Sequence, residues 1–124
     1  MSRYAILVAN DPDLFDNVRV TLQRDSRFID AGDNIHCDGS AAPLTNIYPI
    51  KMTAADWAGW SFGGNPSPDI VTASTLLFEC RSPSWVAEVS RLLAEDLGVP
   101  IWVVDSADNV WPAASVDPER ITLD

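Results

Sequence analysis

The chain has 124 residues, 47% hydrophobic and 21% charged, with eighteen acidic against eight basic side chains and a formal net charge of −10. That length supports one hydrophobic core, so a single domain over residues 1–124 is expected, and the composition excludes disordered, collagen-like and coiled-coil classes. The acidic balance argues against nucleic-acid backbones and anionic membrane surfaces as partners.

In chain order, Tyr4-Ala5-Ile6-Leu7-Val8-Ala9 is an apolar run cut short by Asn10-Asp11-Pro12-Asp13. It is too short for a secretory signal and reads as a buried strand over about Arg3 to Ala9. No run approaches the ~20 apolar residues of a spanning helix, so a soluble, cytoplasmic protein is expected. A helix follows at about Pro12 to Arg24, capped by Asp11, with Phe15, Val18 and Leu22 on its buried stripe. Ser26 to Leu44 carries Asp30, Asp33 and Asp38 without periodicity and reads as a long irregular loop, with a short extended piece at Ile35 to Cys37. Thr45 to Met52 alternates around Pro49, which suits an edge strand. Thr53 and Asp56 form a near capping box opening a short helical turn over Ala54 to Trp60, and Gly63 to Pro68 breaks the pattern as a second loop.

The second half is more regular. Ile70 to Glu79 contains the interior-strand run Thr75-Leu76-Leu77-Phe78. Ser82 and Pro83 are a cap and first-turn pair, Gly98 is a stop, and Val86, Val89, Leu93 and Leu97 line one face, predicting a helix over Pro83 to Leu97. Ile101 to Val104 follows as a strand, turn residues occupy Ser106 to Asn109, and Val110-Trp111 starts a return strand. Another short extended piece is placed at Ile121 to Leu123. The order βαββαβ defines an α+β chain, expected to close as a ferredoxin-like sheet with two helices on one face and the first and third strands central. A small parallel α/β sheet is the alternative, because each helix links strand to strand.

Chemistry is sparsely signalled. His36 is the single histidine; Cys37 and Asp38 adjoin it, but catalytic triads are assembled from distant positions, so it reads as a satisfied loop histidine. Neither cysteine lies in a paired metal-ligand spacing, the acids of the long loop lack the calcium-loop register, and Lys51, the only lysine, follows no phosphate-binding glycine pattern. No metal and no cofactor are expected. Cys37 and Cys80 are expected as two reduced thiols, and Glu79 with Asp105, near the ends of neighbouring strands, is a candidate carboxylate pair for acid and base work.

The five tryptophans carry more information. Trp85 and Trp102 are accounted for by helix and strand burial, whereas Trp57 and Trp60, spaced i and i+3 beside Phe62, and Trp111, beyond an acidic hairpin tip, are not. Their plain role is to cap the ends of the sheet. Their functional reading is an aromatic anchor set ringed by acids, giving a candidate partner-binding surface of Asp30, Asp33, Asp38, Trp57, Trp60, Phe62, Asp105, Asp108 and Trp111.

In size, charge and loop character over the whole chain, the sequence resembles the small immunity proteins of bacterial toxin and contact-dependent inhibition systems. The resemblance implies a cytoplasmic protein, a monomer or weak homodimer, that binds and neutralises one cognate toxin domain and has no chemistry of its own. An acidic protein is steered toward a basic toxin groove. The alternatives are a small-molecule-binding regulatory domain and a small enzyme using His36 or the Glu79 and Asp105 carboxylates.

Overall fold

The computed structural model describes residues 3–62, 68 and 72–123. The apolar run at the start of the chain forms β1 (Tyr4–Ala9), and Ala5 to Ala9 are all buried because the strand is covered on both faces and flanked on both sides. After it come α1 (Leu14–Leu22), β2 (Ile29–Asp30), β3 (Ile35–Cys37), β4 (Thr45–Ile50), α2 (Ala54–Trp57), β5 (Ser74–Cys80), α3 (Pro83–Asp96), β6 (Trp102–Val104), β7 (Val110–Pro112) and a 3-10 turn at Ala113–Ser115. Among the described residues, no helix is long and apolar enough to cross a membrane.

The strands form one seven-stranded sheet in the order β2-β3-β4-β5-β1-β6-β7, with every neighbouring pair antiparallel. This replaces both expected architectures, the four-stranded ferredoxin-like βαββαβ sheet and the parallel α/β sheet. Three further strands are the reason the first fails. The stretch read as a loop folds into the β2–β3 hairpin, closed by the Ala31 N–H on the Asn34 carbonyl (2.9 Å), and β7 extends the opposite edge. The parallel sheet fails because neither long helix returns the chain to a neighbouring position: α1 leads from β1 to β2, with β5, β4 and β3 in between, and α3 leads from β5 to β6, with β1 in between, and every neighbouring pair is antiparallel.

The two sheet faces are covered unequally. On one, Ala5, Leu7 and Ala9 of β1, Leu76 and Phe78 of β5 and Ile47 of β4 pack against Leu14, Val18 and Leu22 of α1 and Val86, Val89 and Leu93 of α3. On the other, Ile6, Val8, Trp102 and Val104 lie under Trp57, with Trp60 and Phe62 half-buried beside it. Both parities of β1 are therefore buried, which is why its sequence is continuously apolar rather than alternating.

Local signals explain the helices. In α3 the Ser82 hydroxyl accepts the Trp85 N–H (3.3 Å), Pro83 occupies the first turn where its missing N–H costs nothing, and the chain leaves through Gly98 at φ +69. Trp85 fixes this end to the sheet: its indole N–H donates to the buried Thr45 hydroxyl (2.9 Å), and its ring stacks on Phe28 beneath the Arg27 guanidinium. In α1 the cap position falls at Asp13, while Asp11 acts from outside, accepting the Asp13 N–H (2.9 Å) and the Asn17 side-chain amide (2.7 Å).

Two strand expectations need correction. β4 is interior over Thr45 to Ile47, where β3 pairs with it; beyond Ile47 its outer side has no partner among the described residues, and Pro49 sits there. Ile121 to Leu123 is not a strand: Ile121 and Leu123 are buried in irregular backbone, and the Thr122 carbonyl accepts the Ser106 N–H (3.0 Å) and hydroxyl (2.9 Å). The Gly63 to Pro68 loop lies outside the described residues except for Pro68, which is buried, and so does Ile70.

Candidate functional site

The turn between β6 and β7 is short and acidic, and its two aspartates have opposite fates. The Asp108 N–H donates to the Asp105 carbonyl (3.1 Å), and Asp108 then takes the left-handed conformation, φ +63, that a three-residue hairpin loop requires at this position. Asp105 is only 2% exposed. One of its oxygens accepts the backbone N–H groups of Ala107 (3.0 Å) and Asn109 (2.9 Å). The other accepts the Asn109 side-chain amide (3.2 Å), the Trp111 indole (3.1 Å) and the Thr122 N–H (3.2 Å). Asp105 is thus an internal anchor and not a contact residue. The candidate pair with Glu79 dissolves as well: Asp105 follows the alternation of Val103, which packs on the helix side, whereas Glu79 is paired with Tyr4 and Asn46 on the opposite face. Trp111, bound to Asp105, packs half-buried against the helix-side core.

The aromatic cluster lies on that opposite face. The Asp56 carboxylate accepts the N–H (2.7 Å) and hydroxyl (2.9 Å) of Thr53, which sets the start of α2 and turns Trp57 onto the sheet. Trp57 is 7% exposed and meets Trp60 edge-on at 4.9 Å; Phe62 lies edge-on to Trp102 at 5.9 Å. The Trp60 indole N–H donates to Asp108 (3.0 Å). Gly59 permits this approach, because a Cβ there would stand 3.0 Å from the other Asp108 oxygen. The cluster therefore covers the second sheet face, and what it offers outward is half-buried Trp60 and Phe62 with exposed Asp108.

Asp30, Asp33 and Asp38 lie at the other edge, on and beside β2 and β3. From β3 to β6 is four strand spacings, about 19 Å, so the structure splits the expected surface into two patches. Asp30 is engaged locally, accepting the Gly32 N–H and the Gln23 amide (both 2.9 Å) and pairing with Arg19 (3.4 Å). Asp38 accepts the hydroxyl (2.6 Å) and N–H (2.9 Å) of Ser40, which hold its carboxyl below the ordinary range. Asp33 is exposed and forms no ion pair among the described residues.

Between the patches runs a row of half-buried polar groups on the open face: His36, Asn46, Tyr48 and Glu79. The Asn46 side-chain oxygen accepts from His36 Nδ1 (2.9 Å) and from the Asn34 amide (3.0 Å). Burial, together with the Glu79 charge and hydrogen bond, pushes the Tyr48 hydroxyl up. Asn46 and Tyr48 were absent from the expected set, although their shared parity in β4 was the signal that placed them on one face. His36 points into this row while Cys37 faces the helices, so the two do not form a dyad. Cys37 and Cys80 flank Thr45 on successive strands, about 10 Å apart and beyond disulfide reach. Both thiols are buried; burial, aided by the Asp25 charge, pushes Cys37 up to about 11. Among the described residues no group of three His, Cys, Asp or Glu side chains is placed to hold a metal.

No protein-family model matches the chain, and no curated protein or solved structure matches it.

Proposed function

We propose that the chain is a binding protein of the immunity type, which acts in the cytoplasm, captures one cognate toxin domain with a basic surface and carries no reaction of its own. The observation that supports this best is the surface of Trp60 and Phe62, fastened to the exposed Asp108 carboxylate in a chain of net charge −10. An aromatic ring already packed against Trp57 and already bonded through its N–H loses little freedom when a partner covers it. Carboxylates at the rim favour a basic partner. A contact of ordinary size, ~800 Å² per partner and so about 30 Å across, spans from Asp108 over the open polar row to Asp33 and Asp38. Trp57 supports this surface from within, and Asp105 holds the turn that carries Asp108.

The test is association kinetics against candidate toxin domains with a basic surface, taken first from any such domain found encoded beside this chain. Raising salt from low to physiological levels should slow association about tenfold while dissociation changes less. Trp60→Ala should cost about 2 kcal/mol, expressed in faster dissociation. Salt-insensitive association together with unchanged dissociation in the Trp60 variant refutes the proposal.

A further inference from the structure

Where β4 and β1 begin and β5 ends, the sheet carries an open depression of about 650 Å³ whose lining includes Arg3, Pro43, Leu44, Asn46, Glu79 and Arg81. Arg3 and Arg81 are brought together by backbone pairing. Beyond the last β1–β5 pair, Tyr4 with Glu79, the Cys80 N–H donates to the Arg3 carbonyl (3.0 Å), so the two arginines leave adjacent strand ends. Arg19, Arg24 and Arg27 are each held in ion pairs; Arg3 and Arg81 form none among the described residues. Both arginines line the depression beside the Glu79 carboxylate, so this end of a strongly acidic protein carries two cations that no ion pair among the described residues neutralises.

The other walls complete a ligand chemistry. Leu44, 61% exposed, and Pro43 supply apolar surface. Asn46 adds a donor: its oxygen is occupied by His36 and Asn34, so its NH₂ is the end with no acceptor among the described residues. The geometry points to a binding site for a small monocarboxylate with a compact apolar body, its carboxylate on Arg3, Arg81 and the Asn46 amide and its apolar part on Leu44 and Pro43. Guanidinium groups suit this because their planar donors match carboxylate oxygens. Two cations and the Glu79 carboxylate give the depression a charge of about +1, which one negative charge neutralises, while a second would face Glu79 and the net field of the chain.

The experiment is an NMR titration of the ¹⁵N-labelled protein with isovalerate, with isopentanol and succinate as comparison probes. Isovalerate should give saturable shifts at the amides of Arg3 and Glu79 to Ser82 and at the Asn46 side chain, with a dissociation constant of about 1 mM or tighter. The alcohol and the dicarboxylate should each bind at least about tenfold more weakly. Arg81→Gln and Arg3→Gln, both at exposed positions, should weaken isovalerate by a similar factor, and Glu79→Gln should strengthen succinate. Absence of saturable shifts up to about 20 mM isovalerate, equal binding of isopentanol, or an unchanged affinity in the folded Arg81→Gln variant overturns the site. None of these outcomes depends on the toxin-binding proposal.

Discussion

Replacing Asp105 by asparagine removes one charge and exchanges one acceptor oxygen for a donor, with almost no change in volume. The two carboxylate oxygens receive two and three N–H groups respectively. Whichever way the new amide is turned, its NH₂ group faces at least two donors that have lost their acceptor, two of them backbone N–H groups if the remaining oxygen serves the other side. Hydrogen bonds to a charged acceptor contribute about 1.5–3 kcal/mol each and an unpaired donor is costly, so Asp105→Asn should destabilise the protein by about 3 kcal/mol after partial relaxation. That corresponds to a fall in Tm of about 10 °C for a chain of this size. Urea denaturation followed by tryptophan fluorescence and circular dichroism measures it, with an unchanged m-value showing that the native and denatured states keep their compactness. Asp108→Asn is the control: asparagine tolerates the left-handed backbone and keeps an oxygen for Trp60, so its cost should stay within about 0.5 kcal/mol. A loss below about 1 kcal/mol for Asp105→Asn would refute the account of Asp105 as a buried, charge-dependent anchor.

Three further outcomes follow from the same reasoning. Ser90 lies wholly buried in α3 with its hydroxyl unpartnered among the described residues, so Ser90→Ala should raise stability by about 1 kcal/mol through removal of an unsatisfied group and better helix propensity, read as a higher urea midpoint. The Cys37 thiol, pushed up to about 11 by burial, should react with an aromatic disulfide reagent at pH 8 at a rate set by unfolding, and rapidly once urea exposes it; fast labelling of the native protein would contradict this. Hydrogen bonds from Arg27 hold the Asp25 carboxyl below its ordinary 3.8 against the opposing effect of burial. Its contribution to stability is therefore present above 3.8 and lost as pH falls through the depressed native value. Arg27→Gln should begin to unfold at higher pH than the parent in an acid titration followed by far-UV circular dichroism.

What was legible in the sequence was what is decided locally. Ser82, Pro83 and the stripe Val86, Val89 and Leu93 define α3 without reference to the rest of the chain, and the apolar run of β1 announces burial on both faces. β2 was not legible, because two residues, Ile29 and Asp30, become a strand only through their register with His36 and Ile35. The two acids of the β6–β7 turn look alike in sequence. One is buried under five donors and the other is exposed, and the difference lies in the Thr122 backbone and Trp111 indole that the tertiary fold brings to Asp105. Likewise Trp57 and Trp60 share a face, but only the first is sealed against the sheet. The polar row was missed because Asn46 and Tyr48 acquire meaning only once β4 lies beside β5.

The prolines of the sheet bear on how the chain behaves in crowded solution. A proline enters a ladder only where its nitrogen points away from its partner strand. Pro49, opposite Leu76, therefore faces the outer side of β4, which has no partner among the described residues, and Pro112, opposite Trp102 with the next residue's N–H bonded to Ile101, faces outward from β7. A foreign strand approaching either place finds a carbonyl and no amide to pair with. The third exposed margin, β2, is two residues long and ends on an aspartate. An open sheet margin can template pairing with another chain; among the described residues each margin is blunted, so concentrated preparations should resist amyloid-type growth even where long-range charge repulsion has been screened by salt.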